Sequence, residues 1–150
     1  MKRFLLIMLT GVLMLTMCGC TEETETSTKK ETTTTKKETT SKVIYEDKYI
    51  KATYQGITEN DVVTSVYMEV SLENKSDQKL IVLPMDSSVD DTMKQFCSGT
   101  IAEIRPGKTF NQAWIIGDKV PEKEVEFSMS ICDEDMGELV RTKLLKIEMK

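Results

Sequence analysis

Residues 62–73 read Val-Val-Thr-Ser-Val-Tyr-Met-Glu-Val-Ser-Leu-Glu. Val62, Thr64, Val66, Met68, Val70 and Leu72 share one parity. Val63, Ser65, Tyr67, Glu69, Ser71 and Glu73 share the other. Successive side chains of a strand point to opposite faces, so this alternation predicts a half-buried β-strand with one apolar and one wet face.

The same period recurs further along. Val125, Phe127, Met129 and Ile131 alternate with Glu124, Glu126, Ser128 and Ser130, again predicting one apolar and one wet face. Phe110, Gln112, Trp114 and Ile116 form a third set, but Ala113 and Ile115 between them are also apolar, so that strand is expected to be covered on both faces. Turn chemistry separates these runs. Residues 73–77 read Glu-Asn-Lys-Ser-Asp, and Arg105-Pro106-Gly107-Lys108 has Pro and Gly at the central positions of a type II turn. Pro121 lies between two further strands, and Asp133 to Gly137 leads into the last one. The pattern predicts about seven strands, near 44–56, 62–73, 79–84, 92–98, 100–104 with 108–117, 124–132 and 139–149. No segment shows a helical face longer than two turns. Short strands at this spacing predict one all-β domain over residues 43–150, an antiparallel sandwich. Its 108 residues suffice for a modest core.

Upstream of the domain the chemistry changes twice. Met1-Lys2-Arg3 is a basic start, and residues 4–17 are a 14-residue apolar run. A bilayer span needs roughly 18 or more apolar residues, so this run reads as a signal-peptide core. It closes on Met17-Cys18-Gly19-Cys20, which resembles a bacterial lipobox: an apolar residue, a small residue, Gly or Ala, then Cys. Cys20, with Gly19 before it, fits better than Cys18, which follows the bulky Met17. The resemblance implies cleavage after residue 19 and lipidation of the Cys20 thiol. Each buried methylene contributes ~0.8 kcal/mol, so two or three acyl chains hold stably where one is marginal. A plain secretory signal is the alternative, and it leaves two thiols unexplained at a polar end.

Residues 21–42, TEETETSTKKETTTTKKETTSK, offer nothing more apolar than a Thr methyl. Such a tract cannot offset its ordering entropy by burial and is expected to be a disordered tether. As a flexible coil it would span roughly 25 Å. A charged helix is the alternative, disfavoured by the Thr runs.

Charge and composition exclude several functions. Removing residues 1–19 removes Lys2 and Arg3 and no acid, leaving 18 basic and 25 acidic residues, a net of −7. Residues 20–42 hold five Lys and five Glu, so the folded domain carries all of this charge. Nucleic acid is not an expected partner, because phosphate binding needs a basic surface. The chain has no histidine, which excludes Ser-His-Asp and Cys-His catalysis and His-ligated metal sites.

The order of parts carries a resemblance. A lipobox and polar tether precede Val-Ser-Leu-Glu-Asn-Lys-Ser-Asp (70–77), Asp-Ser-Ser-Val-Asp (86–90), Ile-Arg-Pro-Gly-Lys (104–108), Val-Glu-Phe-Ser-Met-Ser-Ile (125–131) and a closing strand. Over residues 44–150 this resembles the immunoglobulin-like, telokin-like lipoproteins of Gram-positive bacteria, a family of largely unknown function. The resemblance implies an immunoglobulin-like sandwich and carries over no functional residues. Asp90-Asp91 falls where similar chains often have Asn-Gly, so the hairpin there is expected to be built differently.

Few residues invite chemistry. Cys97 and Cys132 are the only cysteines after Cys20, and an exported compartment permits a disulfide between them. Two separate thiols are the alternative, favoured by Cys132 sharing the parity of Ser128 and Ser130. No Cys-x-x-Cys exists for a redox role. Asp133, Glu134, Asp135 and Glu138 form one acidic cluster, and Asp86, Asp90 and Asp91 another. Neither has EF-hand spacing, so solvated turns are expected and no metal. Paired carboxylates could in principle cleave glycosides, but so small a sandwich rarely offers the cleft. Of the aromatic candidates Trp114, Tyr45, Tyr49, Tyr54 and Tyr67, Trp114 is expected in the core, and Tyr67, on the polar side of its strand, marks the candidate binding face.

Together these readings predict a non-catalytic lipoprotein without cofactors, held on the outer face of the cell membrane. It would be a binding or accessory module for a protein or cell-wall partner. The alternative is a small-ligand or ion-binding lipoprotein serving a transporter.

Overall fold

The computed structural model describes residues 41–60 and 62–149. The expected signal peptide, the expected lipidation site at Cys20 and the expected tether up to residue 40 lie outside the described residues. Within them the chain is all-β, and every strand pairing is antiparallel.

The first sheet contains β1 (Lys42–Glu46), β2 (Ile50–Asn60), β3 (Ser65–Asn74) and β7 (Thr109–Gly117), in the order β1-β2-β3-β7. The second is built on β4 (Leu80–Val89) and β8 (Glu124–Cys132). The short strands β5 (Thr92–Met93) and β6 (Ala102–Ile104) pair with β4. β9 (Glu138–Arg141) and β10 (Leu145–Glu148) pair with β8. The inward residues of both sheets form one core. Val66, Met68, Val70, Leu72 and Trp114 of the first sheet meet Leu80, Val82, Val125, Phe127, Met129 and Ile131 of the second. Trp114 packs edge-on against Phe127, with ring centroids 5.4 Å apart and planes at 67°. The two-sheet antiparallel sandwich is the fold expected from the alternation.

The strand boundaries need correction, each for a local reason. The expected strand near 44–56 is a hairpin: Asp47 Oδ1 accepts the Tyr49 and Ile50 N–H groups at 2.8 and 2.9 Å and turns the chain between β1 and β2. The run at 62–73 begins only at Ser65. Asn60 accepts the Val62 N–H at 3.0 Å and Thr64 takes φ +47°, so Val62 and Val63 are exposed turn residues. The strand expected to end at Pro84 continues to Val89, because β8 pairs with it past Pro84 on one edge; on the other, β6 covers only Leu80–Val82 and β5 only Ser88–Val89. The edge of β4 beside Pro84 has no strand partner, the setting in which a strand proline is tolerated. The segment 92–98 is not one strand. Thr92–Met93 pairs in the second sheet, Phe96 enters the core, and Cys97 bridges to Ile115 in the first. Residues 139–149 divide into β9 and β10 around Thr142, whose hydroxyl accepts the Met129 N–H at 2.9 Å.

Two facial assignments also change. β7 is not covered on both faces: Asn111 and Ala113 are exposed, while Gln112, Trp114 and Ile116 point inward. The Ser128–Ser130–Cys132 face of β8, expected to be wet, is buried. Arg141 and Glu138 from β9 cover it, as described below.

Asp90-Asp91 makes the two-residue hairpin from β4 to β5, with φ +47° and +64°. Positive φ at both positions is the type I′ geometry that Asn-Gly favours, so the turn is not built differently from an Asn-Gly hairpin. The Asp90 side chain explains the choice of residue. Its carboxylate accepts the N–H groups of Glu122, Lys123 and Glu124 at 2.9, 2.7 and 3.1 Å. These bonds hold the Asp90 carboxyl below its ordinary value of 3.8. A lowered folded-state pKa stabilises the fold above the unfolded value and loses that contribution as pH falls through the folded value. Asp90→Asn keeps the turn geometry and one acceptor but removes the charge. Its melting temperature should lie below that of the wild type at neutral pH, with the gap closing as pH drops below 3.8. A gap independent of pH would contradict this account.

Candidate functional site

The structure scatters most of the candidates. Trp114 is core, and Tyr54, on β2 of the same sheet, is buried too. Tyr45 donates to Asp47 Oδ2 at 3.0 Å, and burial together with that carboxylate pushes its hydroxyl up to about 12. Tyr49 is half-buried against the core, with the Lys48 ammonium 4.6 Å from its ring centroid. Cys97 and Cys132 are both unbonded. Cys97 exchanges backbone hydrogen bonds with Ile115 in the first sheet, whereas Cys132 pairs with Ile81 in the second, on its outer face. Stacked sheets lie about 10 Å apart, and a disulfide needs Cα atoms within about 7 Å. The disulfide alternative is therefore not what the structure has.

The acidic residues are used by the fold. Asp133 Oδ1 accepts the Asp135 and Gly137 N–H groups at 3.0 and 2.8 Å. A Cβ at Gly137 would meet Asp133 Oδ2 at 2.8 Å, so a larger residue there would push the Asp133 carboxylate aside. Asp86 accepts the Ser128 hydroxyl at 3.0 Å and lies 3.8 Å from Arg141. Arg141 also holds Glu138 at 3.0 Å, and Glu138 accepts the Ser130 hydroxyl. The Ser130 hydroxyl and Arg141 keep the Glu138 carboxyl below its usual range. This network closes on itself over the outer face of β8. Among the described residues no three Asp, Glu or Cys side chains converge as a metal site would require.

Tyr67 leads to a different place. It is half-buried on the outer face of the first sheet, beside Thr58 on β2 and Ile115 on β7. Two residues along β3, on the same face, Glu69 is flanked by Gly56 and Ala113. Neither neighbour has a side chain longer than a methyl, so the surface sinks there. A β-bulge between Tyr54 and Gly56 adds Gln55 at its rim. Gly56 takes φ +141°, which strongly favours glycine. The result is a groove of about 460 Å³ lined by Gln55, Glu69, Val70, Asn111, Gln112 and Ala113.

Its outward polar side chains are the Glu69 carboxylate and the Gln55 and Asn111 carboxamides; Val70 and Gln112 point inward and meet it only from the backbone side. Glu69 Oε1 accepts the Thr58 hydroxyl at 3.2 Å. Gln112 occupies an inward position in register with Trp114 and Ile116, and only 4% of it is exposed. Its Nε2 donates to Ala113 O at 3.2 Å, but Oε1 is buried without a hydrogen-bond partner. An unsatisfied buried acceptor costs about 1–3 kcal/mol, and this one lies on the core side of the sheet, away from the groove.

Sequence reasoning reached Tyr67 but missed Gln55, Glu69 and Asn111. One signal was present. Ile50, Ala52 and Tyr54 are apolar on even positions, and after Gly56 the apolar parity moves to Ile57. A parity shift at a glycine marks a bulge, and bulges re-aim side chains at functional sites. The convergence of β2, β3 and β7 on one depression has no such local mark.

Comparison with known proteins does not add a relative. No protein-family model matches the chain, no curated protein matches it by sequence, and no solved structure matches it by fold.

Proposed function

We propose that this chain is a non-catalytic, extracytoplasmic lipoprotein, anchored through acylated Cys20, whose sandwich binds a protein or cell-wall partner through the outer face of the first sheet. Its lipobox, tether and turn signatures ally it with the immunoglobulin-like lipoproteins of Gram-positive bacteria. The observation that carries the reading is the groove around Glu69. It is an open depression made by a bulge and by two small residues, Gly56 and Ala113, on either side of Glu69, beside the half-buried Tyr67. Binding modules place a few convergent polar groups in such depressions. Only one carboxylate lines it, and glycoside hydrolysis needs two.

The groove also bears on the alternative of a small-ligand lipoprotein serving a transporter. Small-ligand sites bury most of their ligand in a cleft or cavity, and this depression is open to solvent. A surface that recognises a larger polar partner fits it better.

Two measurements test the proposal. Mass spectrometry of the native protein should find a mature N-terminus at Cys20 carrying acyl chains, and Cys20→Ala should leave the membrane fraction. Residues 1–19 still attached, or an unmodified sulfur, would remove the anchor. A photo-crosslinking residue at position 67 should capture a partner on intact cells, while one at position 126, on the second sheet, should not. Capture from position 126 alone would place the binding face elsewhere.

A further inference from the structure

We propose that the tip of the β2–β3 hairpin, through Val62 and Val63, dips into the surface of the membrane that carries the Cys20 anchor. The inference rests on the anchor proposed above and adds a second contact, made by the folded domain, with the same lipid.

The hairpin holds these two side chains outward. Ile50 and Ile57 of β2 and Val66 and Val70 of β3 are buried, whereas Val62 and Val63 are 74% and 55% exposed. Asn60 Oδ1 accepts the Val62 N–H at 3.0 Å, the Ser65 hydroxyl donates to the Val63 carbonyl at 3.1 Å, and Thr64 takes φ +47°. These bonds do more than set the turn. Lipid supplies no hydrogen bonds, so a segment entering it must satisfy its backbone groups internally. The Val62 N–H and the Val63 carbonyl are already paired within the turn.

The position of the tip points to lipid as the occupant. Lys42, the first residue of β1, pairs with Tyr54, and β2 runs on from there to Asn60. At about 3.3 Å per residue, the hairpin projects roughly 20 Å beyond the start of β1. The tip therefore lies at the end of the sandwich where residues 1–40 join it. A surface tethered through residues 21–40 is presented to that end at an effective concentration on the order of millimolar. Two valines are too small a patch for a free protein partner, since specific protein interfaces bury about 1,200–2,000 Å². They suffice where the acyl chains have already met the cost of encounter.

Charge does not supply the attraction. Asp61 precedes the valines in the chain. Gly117 of β7 is in register with Val66, so the β7–β8 connection lies at the same end, and there Asp118 and Glu122 balance Lys119 and Lys123. The contact is apolar, and anionic headgroups should not strengthen it.

Tryptophan emission from the full-length lipidated protein, in phosphatidylcholine vesicles with or without bromine on the acyl chains, tests the proposal. Trp114 is 1% exposed and gives a constant background. With Val63→Trp, the added emission should be quenched by brominated lipid. With Gln78→Trp, on the exposed turn at the opposite end of β3, it should not be. Adding Val62→Asp to Val63→Trp should abolish the quench, and phosphatidylglycerol mixed into the vesicles should not increase it. Circular dichroism checks that each variant is folded.

Emission from Val63→Trp that is quenched no more than that from Gln78→Trp, on protein that floats with the vesicles, overturns the tip contact and leaves the anchor standing. Quenching that survives Val62→Asp, or that requires phosphatidylglycerol, overturns it as well. A photo-crosslinker at position 63 that captures a protein on intact cells, with no quench in vesicles, assigns the tip to a protein partner instead. Protein that does not float with the vesicles removes the anchor and the tip contact together.

Discussion

Trp114→Ala is expected to lower the stability of the domain by about 3–5 kcal/mol, the range for deleting a large buried aromatic side chain. Trp114 is 1% exposed and sits on β7, where it reaches across the sandwich to Phe127 on β8. Phe96, from the segment that crosses between the sheets, packs on the same Phe127 ring at 5.9 Å. Removing the indole would therefore leave a cavity at the point where both sheets and the crossing segment meet. Close-packed interiors refill such a space only in part. Small domains have about 5–15 kcal/mol in total, so the variant loses a large fraction of that. Each kcal/mol shifts the midpoint by roughly 4–8 °C in a domain of this size, so thermal unfolding should move down by more than about 10 °C. Guanidinium titration should show a lower midpoint with a similar slope. A shift of only a few degrees would mean that the tryptophan is not a keystone of the core.

Asn74→Leu is the second large effect expected, about 2–4 kcal/mol on the basis of its lost buried bonds. Asn74 ends β3 and is 1% exposed. Its Nδ2 donates to Gln78 O and to Ile104 O, both at 2.8 Å. Its Oδ1 accepts the Ser76 N–H at 2.8 Å and the Ser76 hydroxyl at 2.7 Å. Its backbone N–H donates to Lys108 O, and its carbonyl accepts from Gly107. One asparagine thus ties the β3–β4 turn to the β6–β7 turn and joins the two sheets at that end. Leucine has the same branched heavy-atom skeleton and supplies none of these bonds, which strands the buried Ile104 carbonyl. Asn74→Asp distinguishes donor loss from simple shape. It keeps an acceptor for Ser76 but turns a carboxylate oxygen toward two carbonyls, so at neutral pH it should be at least as destabilising as leucine. Protonation restores a donor, so its deficit should shrink in acid. A leucine variant within about 0.5 kcal/mol of the wild type, the ordinary range for surface changes, would contradict this role.

The two residues differ in how far they could be read in advance. The inward parity of Trp114 follows from its neighbours, because side-chain direction in a strand is a property of adjacent residues. Asn74 read as an ordinary turn residue, and its partner Ile104 is 30 positions away. The candidate site divides in the same way. Tyr67 was legible as an outward aromatic, but the groove beside it exists because Gly56 and Ala113, 57 positions apart, are both in register with Glu69. Register between strands is set by packing and turns across the whole domain, and no window of sequence contains it.

The sequence by itself determined the all-β class and the inward faces of β3 and β8. It also located the turns at 74–77 and 105–108 and excluded histidine chemistry. These depend on period-two alternation, on local turn preferences and on composition, all of which act over a few residues. Only the tertiary structure decided that residues 92–97 pass from one sheet to the other, and that the serine face of β8 is buried beneath Arg141 and Glu138. It also decided that Cys97 and Cys132 stay apart, and that Gly56 and Ala113 flank Glu69 on one face. Each of these requires strands distant in the chain to be brought into register, and that is settled by the joint packing of both sheets.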